Sequence, residues 1–149
     1  MLFIQPLRDA DVDAVVRLWH LCELTRPWND PHADLAFARR SRDCEVFVGL
    51  DDDAQVVSSV MVGHDGHRGW MYYLAVSPTA RRRGIGREMV QHAEQWLRNA
   101  GVPKLMLMVR ESNAAVVGEF YRALGYEAEP VVTFSKWLRE PAVPQDRSR

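Results

Sequence analysis

Cysteine and long apolar runs are both scarce in this sequence. Only two cysteines, Cys22 and Cys44, occur among 149 residues, and neither belongs to a CxxC pair. The sequence therefore predicts neither a disulfide scaffold nor a structural zinc site. No apolar run approaches the ~20 residues of a transmembrane helix, and the first eleven residues lack the pattern of a secretory signal. These absences predict a cytoplasmic protein without a membrane partner.

An excess of charge of one sign is also missing. The chain has 19 Lys and Arg against 20 Asp and Glu, which gives a formal net charge of -1. Proteins that bind nucleic acids usually carry an excess of positive charge, so the charge balance predicts no nucleic-acid partner. A chain of this length is expected to fold as one domain. We place that domain at residues 1–138 and predict a disordered tail at 139–149, which holds two prolines and mixed charges.

Hydrophobic periodicity predicts strands alternating with helices. Short apolar runs indicate strands, and apolar residues at helical spacing indicate helices. The predicted order is a strand, two helices, a three-strand meander, a helix, a strand, a helix and one or two final strands. The second helix is placed at 33–42, and the last strand at Val131 to Leu138. This order predicts an α/β (α+β) domain whose mixed, mostly antiparallel sheet of six or seven strands carries helices on both faces.

The most informative stretch joins a predicted strand to the most strongly periodic helix. The loop from Arg81 to Arg87 holds four arginines and two glycines, Gly84 and Gly86. The first amides of a helix have no intrahelical partner and lie at the positive end of its dipole, so this turn is suited to bind a phosphate. A basic surface turn is the alternative. The spacing matches neither a Walker loop nor a dinucleotide fingerprint, whose third glycine position holds Met89.

Two polar clusters invite a metal-site interpretation that their context opposes. Asp51-Asp52-Asp53 lies where a hairpin turn is expected, and turns favour Asp. His64, Asp65 and His67 fall within a glycine-rich hairpin that offers no fourth ligand. We therefore expect no metal.

The motif Arg81-x-x-Gly84-x-Gly86 lies at a strand-to-helix junction, with Leu74-Ala75-Val76 before it and Asn113, Tyr121 and Gly125-Tyr126 after the next strand. In these motifs the chain resembles the GNAT superfamily of acetyl-CoA-dependent N-acetyltransferases over residues 2–138. More narrowly, Arg26 to Asp30 and Asp65 to Gly69 are similar to the bacterial YpeA-type acetyltransferases. The family's fold implies a splayed central strand pair.

The resemblance implies acetyl-CoA as cosubstrate and assigns residues to its site. The family's loop amides hold the coenzyme A pyrophosphate, and here the loop residues are Arg81, Arg82, Arg83, Gly84, Ile85, Gly86 and Arg87. The splayed strand offers backbone groups to the pantetheine and the acetyl carbonyl, a role that falls to Leu74, Ala75 and Val76. An N–H fixed against that carbonyl acts as an oxyanion hole. Asn113 matches a coenzyme contact and is equally well placed to cap the following helix.

Tyr121 matches the family's general acid, which protonates the departing thiolate. The alternative is that Tyr121 packs in an apolar helical stripe with Val117 and Leu124. The general base has no assignment, because Met108 stands where some family members carry Glu. Asp30, Asp65 and Glu111 are the remaining candidates.

The family's architecture implies an acceptor site between two loops. Trp28, Asn29 and Asp30 are expected on one side, and His64 and Asp65 on the other. Carboxylates and an aromatic ring favour a cationic acceptor, either a small amine or a protein amino group. Trp28 has the alternative role of anchoring its loop. A homodimer is left open.

Two other classes of function compete with the enzyme. A non-catalytic acyl-CoA binding or sensing domain would keep the phosphate loop but lack a proton acceptor. A nucleotide-binding regulatory domain would rest on the loop alone.

Overall fold

Two compact units make up the chain in the computed structural model, which describes residues 1–148. The larger unit comprises residues 1–26 and 30–107, and the smaller unit comprises residues 27–29 and 108 onward. The larger unit contains the whole sheet and three helices. The smaller unit contains one helix followed by irregular chain.

The larger unit is built on a mixed five-stranded sheet. Its strands are β1 (Phe3–Pro6), β2 (Cys44–Leu50), β3 (Val56–His64), β4 (Gly69–Val76) and β5 (Leu105–Leu107), and they lie side by side in chain order. The pairs β1–β2, β2–β3 and β3–β4 are antiparallel, whereas β5 runs parallel to β4. This topology confirms the predicted mixed, mostly antiparallel sheet.

The prediction of six or seven strands is wrong. The run Val131 to Leu138 forms no strand, although it is rich in β-branched and aromatic residues. Within residues 1–148 this run has no strand partner, and Val131, Val132, Phe134 and Leu138 are 70–95% exposed. Strand propensity is realised only where neighbouring strands supply hydrogen bonds and packing.

Three helices cover the two faces of the sheet, as predicted. They are α1 (Val12–Leu21), α2 (Pro31–Arg40) and α3 (Ile85–Asn99). Helices α1 and α2 bury one face in a cluster that includes Trp19, Leu35 and Val48. On the other face Phe47 meets His92 of α3 edge to face, at 4.4 Å between ring centroids. Alternate residues of β2 therefore point to the two helical layers.

Helix α2 begins two residues earlier than predicted. Asp30 is its N-cap, and its Oδ1 accepts hydrogen bonds from the amides of His32 and Ala33 at 3.0 and 3.2 Å. Pro31 occupies the first helical position, where its missing N–H leaves no hydrogen bond unmade. Pro31 therefore belongs to the start of α2.

The sheet opens along β4. Strand β5 pairs with β4 at only three positions, from Gly69↔Leu105 to Met71↔Leu107, while β4 continues to Val76. The splay thus lies between β4 and the edge strand β5, whereas the family resemblance implied a splay within a central pair. On its other side β4 bulges, because Met61 pairs with Tyr72 while Ser59 pairs with Ala75. Two residues of β4 therefore oppose one of β3.

The smaller unit contains α4 (Ala114–Ala123), preceded by a 3-10 turn at Glu111–Asn113. Gly125, in the left-handed region at φ 91°, follows the helix. From there to residue 148 no helix or strand occurs, and disorder of the tail stays a prediction. Across the described residues, no helix has both the length and the apolar character that a bilayer crossing requires.

Candidate active site

The N-terminus of α3 presents backbone amides that have no partner within the helix. Its N-cap is Gly84, held in the left-handed region at φ 78°, and no side chain caps the helix. The first intrahelical bond runs from the Glu88 amide to the Gly84 carbonyl at 3.0 Å. The amides of Ile85, Gly86 and Arg87 therefore have no intrahelical acceptor, and they lie at the positive end of a 15-residue helix.

The arginines of this loop carry no internal counter-charge. Within residues 1–148, Arg81, Arg82, Arg83 and Arg87 form no ion pair, and all four are exposed. The Arg81 Nε donates to the Val76 carbonyl at 3.2 Å. This bond ties the loop to the end of β4. The remaining guanidinium groups can neutralise phosphate oxygens.

The structure brings together the two predicted parts of the coenzyme site. Leu74, Ala75 and Val76 form the end of β4, beyond the last residue paired with β5. A short 3-10 turn at Pro78–Ala80 then leads into the 81–87 loop. A ligand whose phosphates occupy the helix start can thus extend along β4.

Asn113 occupies the N-cap position of α4, but its side chain makes no hydrogen bond to the first helical amides. The capping alternative is therefore wrong, and contact with the coenzyme stays a prediction.

Tyr121 lies in the smaller unit on the third turn of α4. Its ring meets Phe120 and Tyr126 edge to face, at 5.0 and 5.7 Å between centroids. Burial raises the pKa of the Tyr121 phenol to about 12. A phenol with such a pKa keeps its proton at neutral pH, as a proton donor must. The aromatic contacts also agree with the packing role, so both interpretations stand on the geometry.

The raised pKa of Tyr121 predicts a loss of stability in alkali. The folded chain holds this proton more tightly than the unfolded chain, whose phenol has a pKa of ~10. Protonated Tyr121 contributes fully to the free energy of unfolding below pH ~10, and this contribution is lost as the pH rises towards about 12. Between pH 9 and 11.5 the parent should lose about 2 kcal/mol more unfolding free energy than Tyr121→Phe. Urea unfolding at both pH values measures this, and equal losses would contradict the assignment.

The predicted acceptor residues fall in different places. Trp28 lies in a turn with Pro27, Trp28 and Asn29 are half-buried, and Asp30 caps α2. His64 ends β3 and Asp65 begins the β3–β4 turn, at the opposite end of β4 from Val76. At ~3.3 Å per residue, the eight residues of β4 separate the two ends by about 23 Å. The structure therefore does not bring this pair next to the 81–87 loop.

His64 and Asp65 both have local partners. The His64 Nε2 lies 3.7 Å from an Asp43 carboxylate oxygen. Asp65 accepts hydrogen bonds from the amides of Arg68 and His67 at 2.8 and 2.9 Å and from the Trp70 indole at 3.2 Å. The backbone bonds hold the pKa of the Asp65 carboxyl below its usual value. They give Asp65 a structural role in the turn.

Sequence reasoning missed a polar network at the β4 bulge. Trp19 of α1 donates its indole N–H to Ser59 at 2.8 Å. Tyr73 donates its hydroxyl to Asp34 at 2.6 Å. A signal was available, since Ser59 interrupts the apolar run of β3 and is itself fully buried. A polar residue at such a position requires a hydrogen-bond partner.

No group of three or more His, Cys, Asp or Glu side chains suited to a metal ion occurs in the described part of the chain, residues 1–148.

Comparison with known proteins agrees with the geometry. The model of the acetyltransferase (GNAT) family matches residues 14–126. An acetyltransferase of Pectobacterium atrosepticum is 43% identical over 137 residues, which cover 92% of this chain and 96% of that protein. Two solved structures share the fold. An aminoglycoside N-acetyltransferase in complex with CoA has a TM-score of 0.77 at 16% identity, with 93% of this chain and 96% of that chain covered. An aminoglycoside acetyltransferase from an uncultured soil metagenomic sample, in complex with sisomicin, has a TM-score of 0.75 at 20% identity, with coverages of 93% and 97%.

Proposed function

This chain is an acetyltransferase of the GNAT family, and we propose that it transfers acetyl from acetyl-CoA to a primary amine by direct attack in a ternary complex. The observation that carries the proposal is the start of α3. The helix there has no side-chain cap, and its N-cap glycine is left-handed. The loop before it holds four arginines that form no ion pair within residues 1–148, and this loop follows β4. We also propose that the protein acts in the cytoplasm.

The coenzyme's phosphates are held by the 81–87 loop. The amides of Ile85, Gly86 and Arg87 donate to phosphate oxygens, and the arginines add charge. The pantetheine arm extends along Leu74, Ala75 and Val76, where pairing with β5 has ended. Acetyl-CoA supplies an activated acyl group as a thioester.

Two protons must move during the transfer. The amine nitrogen bonds to the thioester carbonyl carbon, the C–S bond breaks, and the thiolate leaves with the electron pair. Tyr121 donates its phenolic proton to that sulfur as the general acid. A β4 amide stabilises the charge that develops on the carbonyl oxygen.

The proton that the amine loses needs an acceptor. Asp65 is a poor base at neutral pH, because its pKa lies below the usual range. Asp30 is exposed and caps α2, and Glu111 begins the turn before α4. For an amine that binds in its neutral form, bulk water can accept the proton, with either carboxylate as a relay.

A non-catalytic acyl-CoA sensing domain is the second candidate. It is favoured by Met108, which stands where some relatives in the superfamily carry a Glu base. Both candidates bind the coenzyme, so turnover separates them. The deciding experiment follows thiol release from acetyl-CoA across cationic, neutral and acidic amines. Release that depends on an amine supports the enzyme, whereas binding without release supports the sensor.

Cationic amines are expected to be the preferred acceptors. Asp30 supplies negative charge, and Trp28 supplies a ring that attracts an ammonium group by about 0.5–2 kcal/mol. Asp30→Asn and Trp28→Ala should therefore raise KM for the best cationic amine severalfold and leave the Kd for CoA unchanged. Asp65→Asn tests the β3–β4 turn, and a rise in KM for the same amine would assign that turn to the acceptor site.

Asp51→Asn is the matched control for Asp65→Asn, because Asp51 also accepts two turn amides, those of Asp53 and Gln55. It should leave KM unchanged. Parental kinetics in Asp30→Asn, Trp28→Ala and Asp65→Asn, or preference for an acidic acceptor, would rule out this acceptor site.

A further inference from the structure

Tyr73 adopts a backbone conformation that a bulky residue rarely occupies. Its φ is 53°, in the left-handed region, at the β4 bulge. Of the other non-glycine residues with positive φ in the described chain, Glu23 and Ala54 lie in exposed turns and Arg82 lies in the coenzyme loop. Tyr73 is the one within a strand. Such a conformation persists only where the surroundings fix it.

Three contacts fix Tyr73, each from a different element. Its ring stacks on Trp19 of α1, with centroids 3.7 Å apart and planes 5° from parallel. Its hydroxyl donates to an Asp34 carboxylate oxygen of α2 at 2.6 Å. Its carbonyl accepts from the Ser59 hydroxyl of β3 at 3.0 Å. The ring, the hydroxyl and the backbone are all held.

The hydrogen bonds of this network end at the backbone carbonyl of Tyr73. Ser59 and Trp19 are fully buried, and their polar groups join in one chain: the indole N–H donates to the Ser59 oxygen, whose own proton goes to the Tyr73 carbonyl. Buried polar groups are retained where each is satisfied and where they specify one arrangement. Here that arrangement is the direction of the peptide between Tyr73 and Leu74.

The bulge sets where the following amides point. After it, Ala75 returns to register with Ser59, and Leu74 to Val76 run along the part of β4 that β5 leaves uncovered. These are the residues proposed to contact the pantetheine and the acetyl carbonyl. A misplacement of ~1 Å at a reacting group can lower a rate 100-fold.

We propose that Trp19, Ser59 and Asp34 are positioning residues, which hold Tyr73 in its left-handed conformation and thereby aim the β4 backbone at the thioester. The inference rests on the proposed acetyl transfer and deepens it. It assigns a role to Asp34 that depends on accepting a hydrogen bond and does not depend on charge.

The test compares two variants that break the Tyr73–Asp34 hydrogen bond with one that can keep it. Tyr73→Phe removes the donor and keeps the ring, and Asp34→Ala removes the acceptor. Both should lower kcat at least about tenfold. Asp34→Asn retains an oxygen acceptor and should keep kcat within about threefold of the parent. The Kd for CoA should stay within about threefold throughout, because the 81–87 loop is untouched.

A second readout reports on the backbone directly. In the parent, acetyl-CoA should shift the amide 1H–15N resonances of Leu74, Ala75 and Val76 relative to CoA. Tyr73→Phe should diminish that difference. A residue needed only for stability would not change it below the melting temperature. Asp13→Ala is the matched control, since Asp13 is an exposed helical carboxylate bonded to His32 at 3.3 Å, and it should match the parent.

The outcomes separate this inference from the proposed function. An active parent with unchanged kcat in Tyr73→Phe and Asp34→Ala overturns the positioning role alone. Loss of activity in Asp34→Asn as large as in Asp34→Ala overturns it as well, because the carboxylate charge would then be what matters. A parent that binds no CoA and transfers no acetyl overturns the proposed function and this inference together.

Discussion

Tyr121→Phe is expected to lower kcat by about 10²–10⁴-fold, the usual contribution of a positioned general acid. The substitution deletes the phenolic proton and keeps the ring that packs against Phe120 and Tyr126. The Kd for CoA should stay at the parental value. Steady-state kinetics with the best amine, together with calorimetric titration of CoA, measure the two quantities.

Tyr126→Phe provides the matched control for that experiment. Tyr126 is the aromatic neighbour of Tyr121 in the smaller unit, and it loses the same hydroxyl in this variant. Its kcat should remain close to that of the parent. Kinetics of Tyr121→Phe that match those of Tyr126→Phe would reduce Tyr121 to a packing residue.

Gly84→Val is expected to abolish the stabilisation of the protein by CoA. At a hundredfold excess over Kd, a ligand that binds only the folded state adds about 2.7 kcal/mol. For a chain of this size that corresponds to a rise in Tm of roughly 5–10 °C. Gly84 has φ 78°, which valine adopts at a penalty of ~1–2 kcal/mol, and a new side chain there would stand where the phosphates approach. Gly86→Val should also remove the rise in Tm.

Gly101→Val isolates the effect on binding from the effect on the backbone. Gly101 follows the other end of α3 with φ 79°, and at both glycines an added Cβ meets no atom within 4 Å. The two variants should therefore destabilise the free protein similarly, while only Gly84→Val loses the CoA-dependent rise. An undiminished rise in both Gly84→Val and Gly86→Val would reject the loop as the coenzyme site.

The parts of the fold that sequence predicted are those with a strong local signal. Helix α3 repeats apolar residues over 15 positions and ends just before a left-handed glycine, so both its periodicity and its end were visible. The run Val131 to Leu138 is rich in residues with high strand propensity, yet it forms no strand. Propensity describes how a residue fits a sheet surface, and it does not supply the neighbouring strand.

The candidate site also has parts that the sequence predicted and parts that it did not. The 81–87 loop was predictable because its glycines, arginines and helix start are contiguous in sequence. The role of Tyr121 came from family resemblance, since its helical position also suits packing. A buried serine in β3 indicated a polar network, but its partners could not be predicted, because they come from α1, α2 and β4. Asp34 in particular looks in sequence like an ordinary acidic residue in a first helical turn.

The central claim is that acetyl passes from the coenzyme to an amine, and product analysis tests it most directly. The protein is incubated with acetyl-CoA labelled in the acetyl group and the amine that releases thiol fastest. Mass spectrometry then quantifies labelled amine and free CoA. The account predicts one labelled amide for each CoA released, with release abolished when the amine is omitted. Tight CoA binding without any labelled amide would contradict it.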